Sequence, residues 1–325
     1  LPQDLALLPA DEAAIALAVD RPGLQLWLDT DVSFTTPKAN IAVELLVPDG
    51  LISLQDSRYA QLLVRLLSDE MTEPTYPALM AGLNFGLNAT SSGFAITIGG
   101  YNDKQPEFLA FVLDRVLTAP LSQARFNTMK QSLVRDLQNT TKDKPYSQAL
   151  TALNNTLLDA SWPAEQQAAL LRTTPLAQLE NGRSEQLKTL AVIGGLHGNV
   201  DTQDAENLAD LLTTLLPLQR ITRIRPSVQQ IDESASIDLA VDHNDAALLI
   251  YVQDPDDSFA SRAKSALAGQ LLRSPFFSSL RTDQQLGYVV SAGIRRMDTQ
   301  SGNLFLVQSP SAGVAHIENA VMVFL

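Results

Sequence analysis

One series of elements occurs twice in this chain of 325 residues. Val47 and Val252, like Leu66 and Leu271, stand 205 residues apart; Phe85 and Tyr288 stand 203 apart, and Gly93 and Gly302 209 apart. Self-similarity at a near-constant offset marks a duplicated unit. The first copy reads as strand, turn, helix, hairpin and helix. The second runs from Ala247–Val252 through helix Arg262–Leu272 to strands Leu286–Val290, an SG turn and Asn303–Val307. Matching Ile317–Leu325 to Leu109–Leu117 leaves the second copy without a counterpart of residues 118 to about 225, and the sequence stops on VMVFL without a helix cap. A truncated chain is therefore expected, with about 100 residues wanting.

Within the first copy, Leu24/Leu26/Leu28 and Ile41/Val43/Leu45/Val47 alternate as half-buried strands do, and are read as two adjacent strands of one sheet. Tyr59, Leu62, Leu63, Leu66 and Leu67 recur at helical spacing after the PDG turn. Residues 83–90 and 94–98 form a hairpin around SSG. Three or four helices then follow from Pro106 to about Thr173, punctuated by prolines. A last strand, Leu190–Ile193, ends in GGLHGN, where His197 is read as part of a strand-to-helix turn. It feeds a helix capped by Asp201 or Thr202 and running to about Leu215. QRITRIRPSVQQ, residues 219–230, has no apolar stripe and is the expected linker. It sets the domains at 1–226 and 227–325.

Composition excludes several classes of function. With 45% hydrophobic and 18% charged residues, the chain has material for one large or two ordinary cores and none of the character of a disordered polymer. No apolar run approaches the roughly 18 to 20 residues of a bilayer span, so no membrane span is expected. The net charge of −13 has the wrong sign for a sequence-independent phosphate binder, which argues against nucleic acid as a partner. Without cysteine there is no disulfide, thiolate nucleophile or Cys-ligated zinc. Leu1 is not Met and LPQDLALLPADEAA lacks the flanks of a secretory signal, so a removed start or a piece of a longer protein is expected.

The three histidines, His197, His243 and His316, make neither H-E-x-x-H nor H-x-x-E-H, and no metal ligands are assigned. There is no G-x-S-x-G, and GGYNDKQP (99–106) lacks the spacing of either glycine-rich phosphate loop; it reads as a helix-opening turn. The informative segment is SPFFSSLRTDQQLGYVVSAGIRR, residues 274–296. Phe276 and Phe277 precede Arg281, and a turn at Gly287 places Tyr288 at the start of a strand. Two readings stay open on the residues alone: a guanidinium and a phenol gripping carbonyl oxygens, or a salt bridge and a packed ring.

PFFSSLRTDQQLGYVV resembles the F-x-x-L-R-T-x-x-Q-L-G-Y-x-V signature in the last domain of the pitrilysin/insulysin family of zinc metallopeptidases. LWLDTDVSFTTPKANI (26–41), YPALMAGLNFGL (76–87), GGYNDKQP and LHGNV (196–200) support it in family order, so the likeness covers the whole chain. The resemblance implies an α+β fold of two homologous domains, each an antiparallel-rich sheet packed with helices, the second truncated. These would be the third domain and the first part of the fourth, out of four domains of roughly 200 to 250 residues that close as two bowls around a peptide. The family's zinc-binding H-x-x-E-H lies in its first domain, and none of those positions is present here. Arg281 and Tyr288 match the family's arginine and tyrosine that reach the reacting substrate, and Phe277 matches an aromatic lining its pocket. Lys38 and Asp103 are expected to hold turns or the interface between halves.

The resemblance thus implies the C-terminal half of a zinc metalloendopeptidase, inactive alone, whose partners are a peptide substrate and the N-terminal catalytic half. About 450 to 500 residues upstream, carrying the zinc motif, are expected in the parent. The rival is a non-catalytic subunit or peptide-binding scaffold. Relatives occupy the bacterial periplasm, the cytosol and organelles; a periplasmic setting is expected here over a cytoplasmic one.

Overall fold

A computed structural model describes residues 2–8, 15–31, 33 and 36–325. Of the stretch 26–41, Val32, Phe34 and Thr35 lie outside the described residues, as do Leu1 and residues 9–14 of the opening segment. The chain forms two compact units, Leu1–Leu133 with Leu170–Arg225, and Val134–Ala169 with Pro226–Leu325. The expected division at 226/227 follows the sequence repeat, whereas the compact unit that holds the second copy also includes residues 134–169.

The first unit is built on strands β1 (Ala16–Arg21), β2 (Leu24–Thr30), β3 (Lys38–Leu46), β4 (Leu83–Ala89), β5 (Gly93–Tyr101) and β6 (Ala191–Gly198), in the order β1-β2-β6-β3-β5-β4. The alternating residues do what their period requires: Leu24, Leu26 and Leu28 in β2 and Ile41, Val43 and Leu45 in β3 are buried, while Trp27 faces out. The expectation that β2 and β3 are neighbours is wrong. β6 lies between them, parallel to β2 and antiparallel to β3. Period two tells which face a side chain takes but not which strand lies alongside. β6 also extends through Gly198, so His197 sits on a strand rather than in a turn. Its Gly194 suits a central position, since a Cβ there would lie 2.9 Å from Leu26 Cδ2 and 3.0 Å from the Ala42 carbonyl oxygen.

Helix α1 (Leu54–Met80) covers the sheet with Leu62, Leu63, Leu66 and Leu67, and Ser53 caps it by accepting from Asp56 N at 3.0 Å. The hairpin β4–β5 is as expected, and α2 (Gln105–Thr118), α3 (Gln123–Asn139), α4 (Pro145–Leu157) and α5 (Ala164–Thr173) are the four helices of the following stretch. A further helix, α6 (Leu176–Gln186), was not expected from the sequence. Its buried residues are Leu179, Arg183 and Gln186, so it carries no apolar stripe to read. After β6 comes α7 (Thr202–Leu215), capped by Asp201 in a reciprocal box with Asp204.

The second unit repeats the core of the first. β7 (Ala246–Gln253), α8 (Phe259–Phe277), β8 (Val289–Met297), β9 (Gln300–Ser309) and α9 (Val314–Phe324) follow in the chain order of β3, α1, β4, β5 and α2. The sheet order β7-β9-β8, all antiparallel, matches β3-β5-β4 strand for strand. Phe276, Leu280, Leu286, Val290, Phe305, Val307, Ile317 and Val321 make its core. Two details differ from the sequence reading. β8 opens at Val289 rather than Leu286, because Leu286 is used to close the preceding helical segment: its N–H reaches Leu280 O at 2.9 Å and its side chain enters the core. The β8–β9 turn falls at Asp298–Thr299, and Ser301 and Gly302 already belong to β9.

The expected linker is irregular but anchored. Within the first unit Ser92 Oγ donates to Ile224 O at 2.8 Å and Arg223 pairs with Glu44 at 2.8 Å. Within the second, Gln229 N donates to Leu157 O at 2.8 Å.

Arg183 ends α2. Its buried guanidinium donates to Val116 O at 3.0 Å, whose i+4 residue Pro120 has no N–H, to Ala119 O at 2.6 Å just past the helix, and to Arg115 O at 3.3 Å, which Ala119 N also reaches at 3.1 Å. Burial holds its pKa below the usual arginine value. Arg183→Met is expected to destabilise the chain by about 3 kcal/mol, since it leaves buried carbonyls unpaired. A urea denaturation midpoint unchanged from wild type would contradict this capping role.

Candidate functional site

The segment that the sequence singles out forms one continuous structure in the second unit. α8 runs to Phe277 and widens into a π-helical turn, Ser278–Asp283, in which Gln284 N donates to Ser279 O at 3.0 Å. Residues 284–288 then pass irregularly to β8, with Gln285 at a φ of 52°. Leu280 and Leu286 face the core and pin both ends of this passage. Arg281 and Tyr288 are left on its outer side.

Arg281 stacks its guanidinium over the Phe277 ring, 5.6 Å from the centroid, and donates from Nη1 to Gly287 O at 3.1 Å. The Phe277 side chain is exposed. Gly287 is required by close approach: a Cβ there would lie 2.0 Å from the Gln308 carbonyl oxygen. Arg281 therefore holds the carbonyl of a residue that only glycine can occupy, and the next residue is Tyr288.

The Tyr288 side chain is 44% exposed, yet its hydroxyl is fixed. It donates to Asp245 Oδ2 at 2.8 Å and accepts from Gln308 Nε2 at 2.6 Å, and Gln308 Nε2 also donates to Asp245 Oδ2 at 2.8 Å. Gln308 is buried, and its Oε1 accepts from Tyr146 N at 3.1 Å, a first-turn amide of α4 with no intrahelical acceptor. The Lys144 ammonium stands 6.0 Å from the Tyr288 ring centroid. His243 Nδ1 accepts from Asp245 N at 2.9 Å and lies 3.8 Å from Asp245 Oδ1. The hydrogen bond to Asp245 raises the Tyr288 pKa above its ordinary value, which keeps the phenol protonated. Donation from Gln308, then from Tyr288, lowers that of Asp245, which keeps the carboxylate ionised.

The structure thus brings together Phe277, Arg281 and Tyr288, and adds Asp245 and Gln308, which sequence reasoning did not select. A signal for Gln308 existed: a glutamine at the end of the apolar run NLFLVQS is a polar group headed for burial. Nothing local marked Asp245.

The residues do not make a metal centre. Among the described residues no group of three or more His, Asp or Glu side chains is placed to hold a metal ion. His197 turns one ring nitrogen to Asp29 at 3.0 Å and the other to Asp31 at 3.8 Å; His243 is bound as above. Asp103 accepts from Gln3 N at 2.7 Å and holds the opening segment, while the Lys38 ammonium stands 5.3 Å from the Tyr101 ring centroid. No described helix is long and apolar enough to cross a membrane.

Comparison with known proteins gives two family matches: the middle or third domain of peptidase M16 over residues 1–170, and the C-terminal lobe domain 4 of PqqF-like PQQ synthase proteins over residues 267–325. Human insulin-degrading enzyme is 28% identical over all of this chain and 33% of its own length. The peroxisomal insulin-degrading enzyme-like 1 of Arabidopsis thaliana is 27% identical over 99% of this chain and 35% of its own. The chain spans about a third of the length of these curated relatives. Among solved structures, pitrilysin shares the fold with a TM-score of 0.89 at 22% identity, over all of this chain and 35% of its own. A peptidase M16 inactive domain from Pseudomonas fluorescens does so with a TM-score of 0.71 at 15% identity, over 96% of this chain and 77% of its own.

Gly287→Ala is expected to force β8 from β9 and to cost about 3 kcal/mol, because the clash is with backbone that no rotamer change relieves. A denaturation midpoint and a Tyr288 ring spectrum both matching wild type would contradict the close approach.

Proposed function

This chain belongs to the peptidase M16 (insulinase) family, and from that premise we propose that it is the non-zinc-binding C-terminal half of a metalloendopeptidase that encloses and cuts peptides. The zinc is assigned to a part of the parent outside this chain. The observation that carries the reading is the half-buried Arg281–Gly287 contact beside the exposed Tyr288, with its buried support in Gln308. With Nη1 holding Gly287, the guanidinium fork has further donors for a backbone carbonyl of a bound peptide, which fixes the register of that peptide. Phe277 supplies an apolar face beside it. The Tyr288 phenol, kept protonated by its environment, donates to the carbonyl oxygen under attack and gains strength as negative charge develops there. Such a donor is worth about 3 kcal/mol in the transition state.

Two observations favour a second reading. In this structure the Tyr288 proton is already donated to Asp245, and a fold neighbour is described as an inactive domain. In that reading the chain is a peptide-binding scaffold or non-catalytic subunit.

Tyr288→Phe in the full-length parent separates the two. A donor to the transition state predicts that kcat falls about 100-fold while KM changes little. An unchanged kcat assigns the chain to the scaffold reading. The chain alone is expected to bind no stoichiometric zinc and to turn over no peptide. Metal analysis and a peptidase assay of the purified chain check this, and a metal-dependent activity would overturn the assignment.

A further inference from the structure

We propose that Gln308 is the positioning residue for Tyr288: it holds the phenol oxygen in place while the hydroxyl hydrogen turns from Asp245 to a substrate carbonyl oxygen. The inference rests on the reading of Tyr288 as a donor to substrate and adds the side chain that aims it.

The backbone of Gln308 is fixed on both sides, opposite Ala247 of β7 and Val289 of β8. The orientation of its amide is also determined. A backbone N–H from Tyr146 can be accepted only by Oε1, so Nε2 faces Tyr288 and Asp245, with one acceptor for each of its two hydrogens. The phenol oxygen is thereby tied to a rigid donor through one lone pair, while its own hydrogen remains a rotor. In the structure that hydrogen rests on Asp245.

Turning it toward a substrate oxygen breaks one hydrogen bond and makes another. The Gln308–Tyr288 contact survives the exchange, and Asp245 keeps the second hydrogen of the same amide, so the carboxylate is not abandoned. No proton changes owner. The other polar groups around the pair are the Lys144 ammonium over the ring, Tyr146, and His243 beside Asp245. A glutamine so buried is otherwise a poor choice at the end of an apolar strand, and two of its three contacts serve the Tyr288–Asp245 pair.

The test has two arms. In this chain, with tyrosine rings labelled at 13Cζ, Gln308→Leu is expected to raise the titration of Tyr288, because a donor to the phenolate oxygen is lost. Asp245→Asn is expected to lower it. In the full-length parent, Gln308→Leu is expected to lower kcat about 10-fold with KM nearly unchanged, and to add nothing in a Tyr288→Phe background. The urea denaturation midpoint of Gln308→Leu guards against misfolding, and Gln308→Met, which keeps the length of the side chain and brings no amide donor, is expected to lower kcat in the same way.

Equal losses in both backgrounds, or an unchanged Tyr288 titration in Gln308→Leu, overturn the positioning role. If Tyr288→Phe lowers kcat and neither Gln308 variant does, this proposal fails and the donor reading stands. If Tyr288→Phe leaves kcat unchanged, the donor reading itself falls and takes the proposal with it.

Discussion

The second unit depends on β9. It is the middle strand of three, hydrogen-bonded to β7 on one side and β8 on the other. Its Phe305 and Val307 fill the core, while Gln308 crosses to the side where Tyr288 and Asp245 lie. The same strand therefore supplies both the apolar burial that stabilises the unit and the amide that fixes the phenol. Even the contact that restricts residue 287 to glycine is made with its backbone. The first unit has an equivalent in β5, held between β3 and β4, and there too a glycine meets a neighbouring carbonyl: a Cβ on Gly93 would lie 1.9 Å from Leu45 O.

The two copies differ in what they do with this frame. In the first, the long helix α1 ends at Met80 and passes through Ala81 and Gly82 directly into β4. In the second, the corresponding helix widens into a π-helical turn and an irregular passage before β8, and the exposed polar groups gather there. A duplicated unit has been elaborated at one junction, between its helix and its second strand, while the strand pairing is kept. The function proposed for this junction would rest on a rigid scaffold that carries a variable connection.

Much of the frame was legible from the sequence because it rests on short-range periodicity. The alternation of β2 and β3, the stripe of α1 and the offset between Val47 and Val252 all report which residues must be buried, and burial is what the fold requires of them. Strand order was not legible. β6 enters between β2 and β3 from about 150 residues further along the chain, and nothing in the alternation of Leu26 or Ile41 specifies that neighbour. The strand expected at Leu286 failed for a related reason: Leu286 and Val290 are both buried, as in a strand, but Leu286 serves a helical terminus. At the candidate site, Phe277, Arg281 and Tyr288 were found together because they lie within 12 positions of one another. Asp245 lies 43 residues before Tyr288 and Gln308 lies 20 after it, so their meeting is a product of strand pairing and is invisible to local pattern.

The π-helical turn at Ser278–Asp283 has a consequence for how insertions and deletions are tolerated. Its wider winding accommodates one more residue than an α-helix of the same rise. Removing a single residue from it would let the segment rewind to ordinary pitch, so that side chains beyond the deletion keep nearly their direction about the axis while those inside the turn change places. Substitutions in this stretch change chemistry one group at a time, whereas a change in length resets Leu280 and the Arg281 guanidinium together.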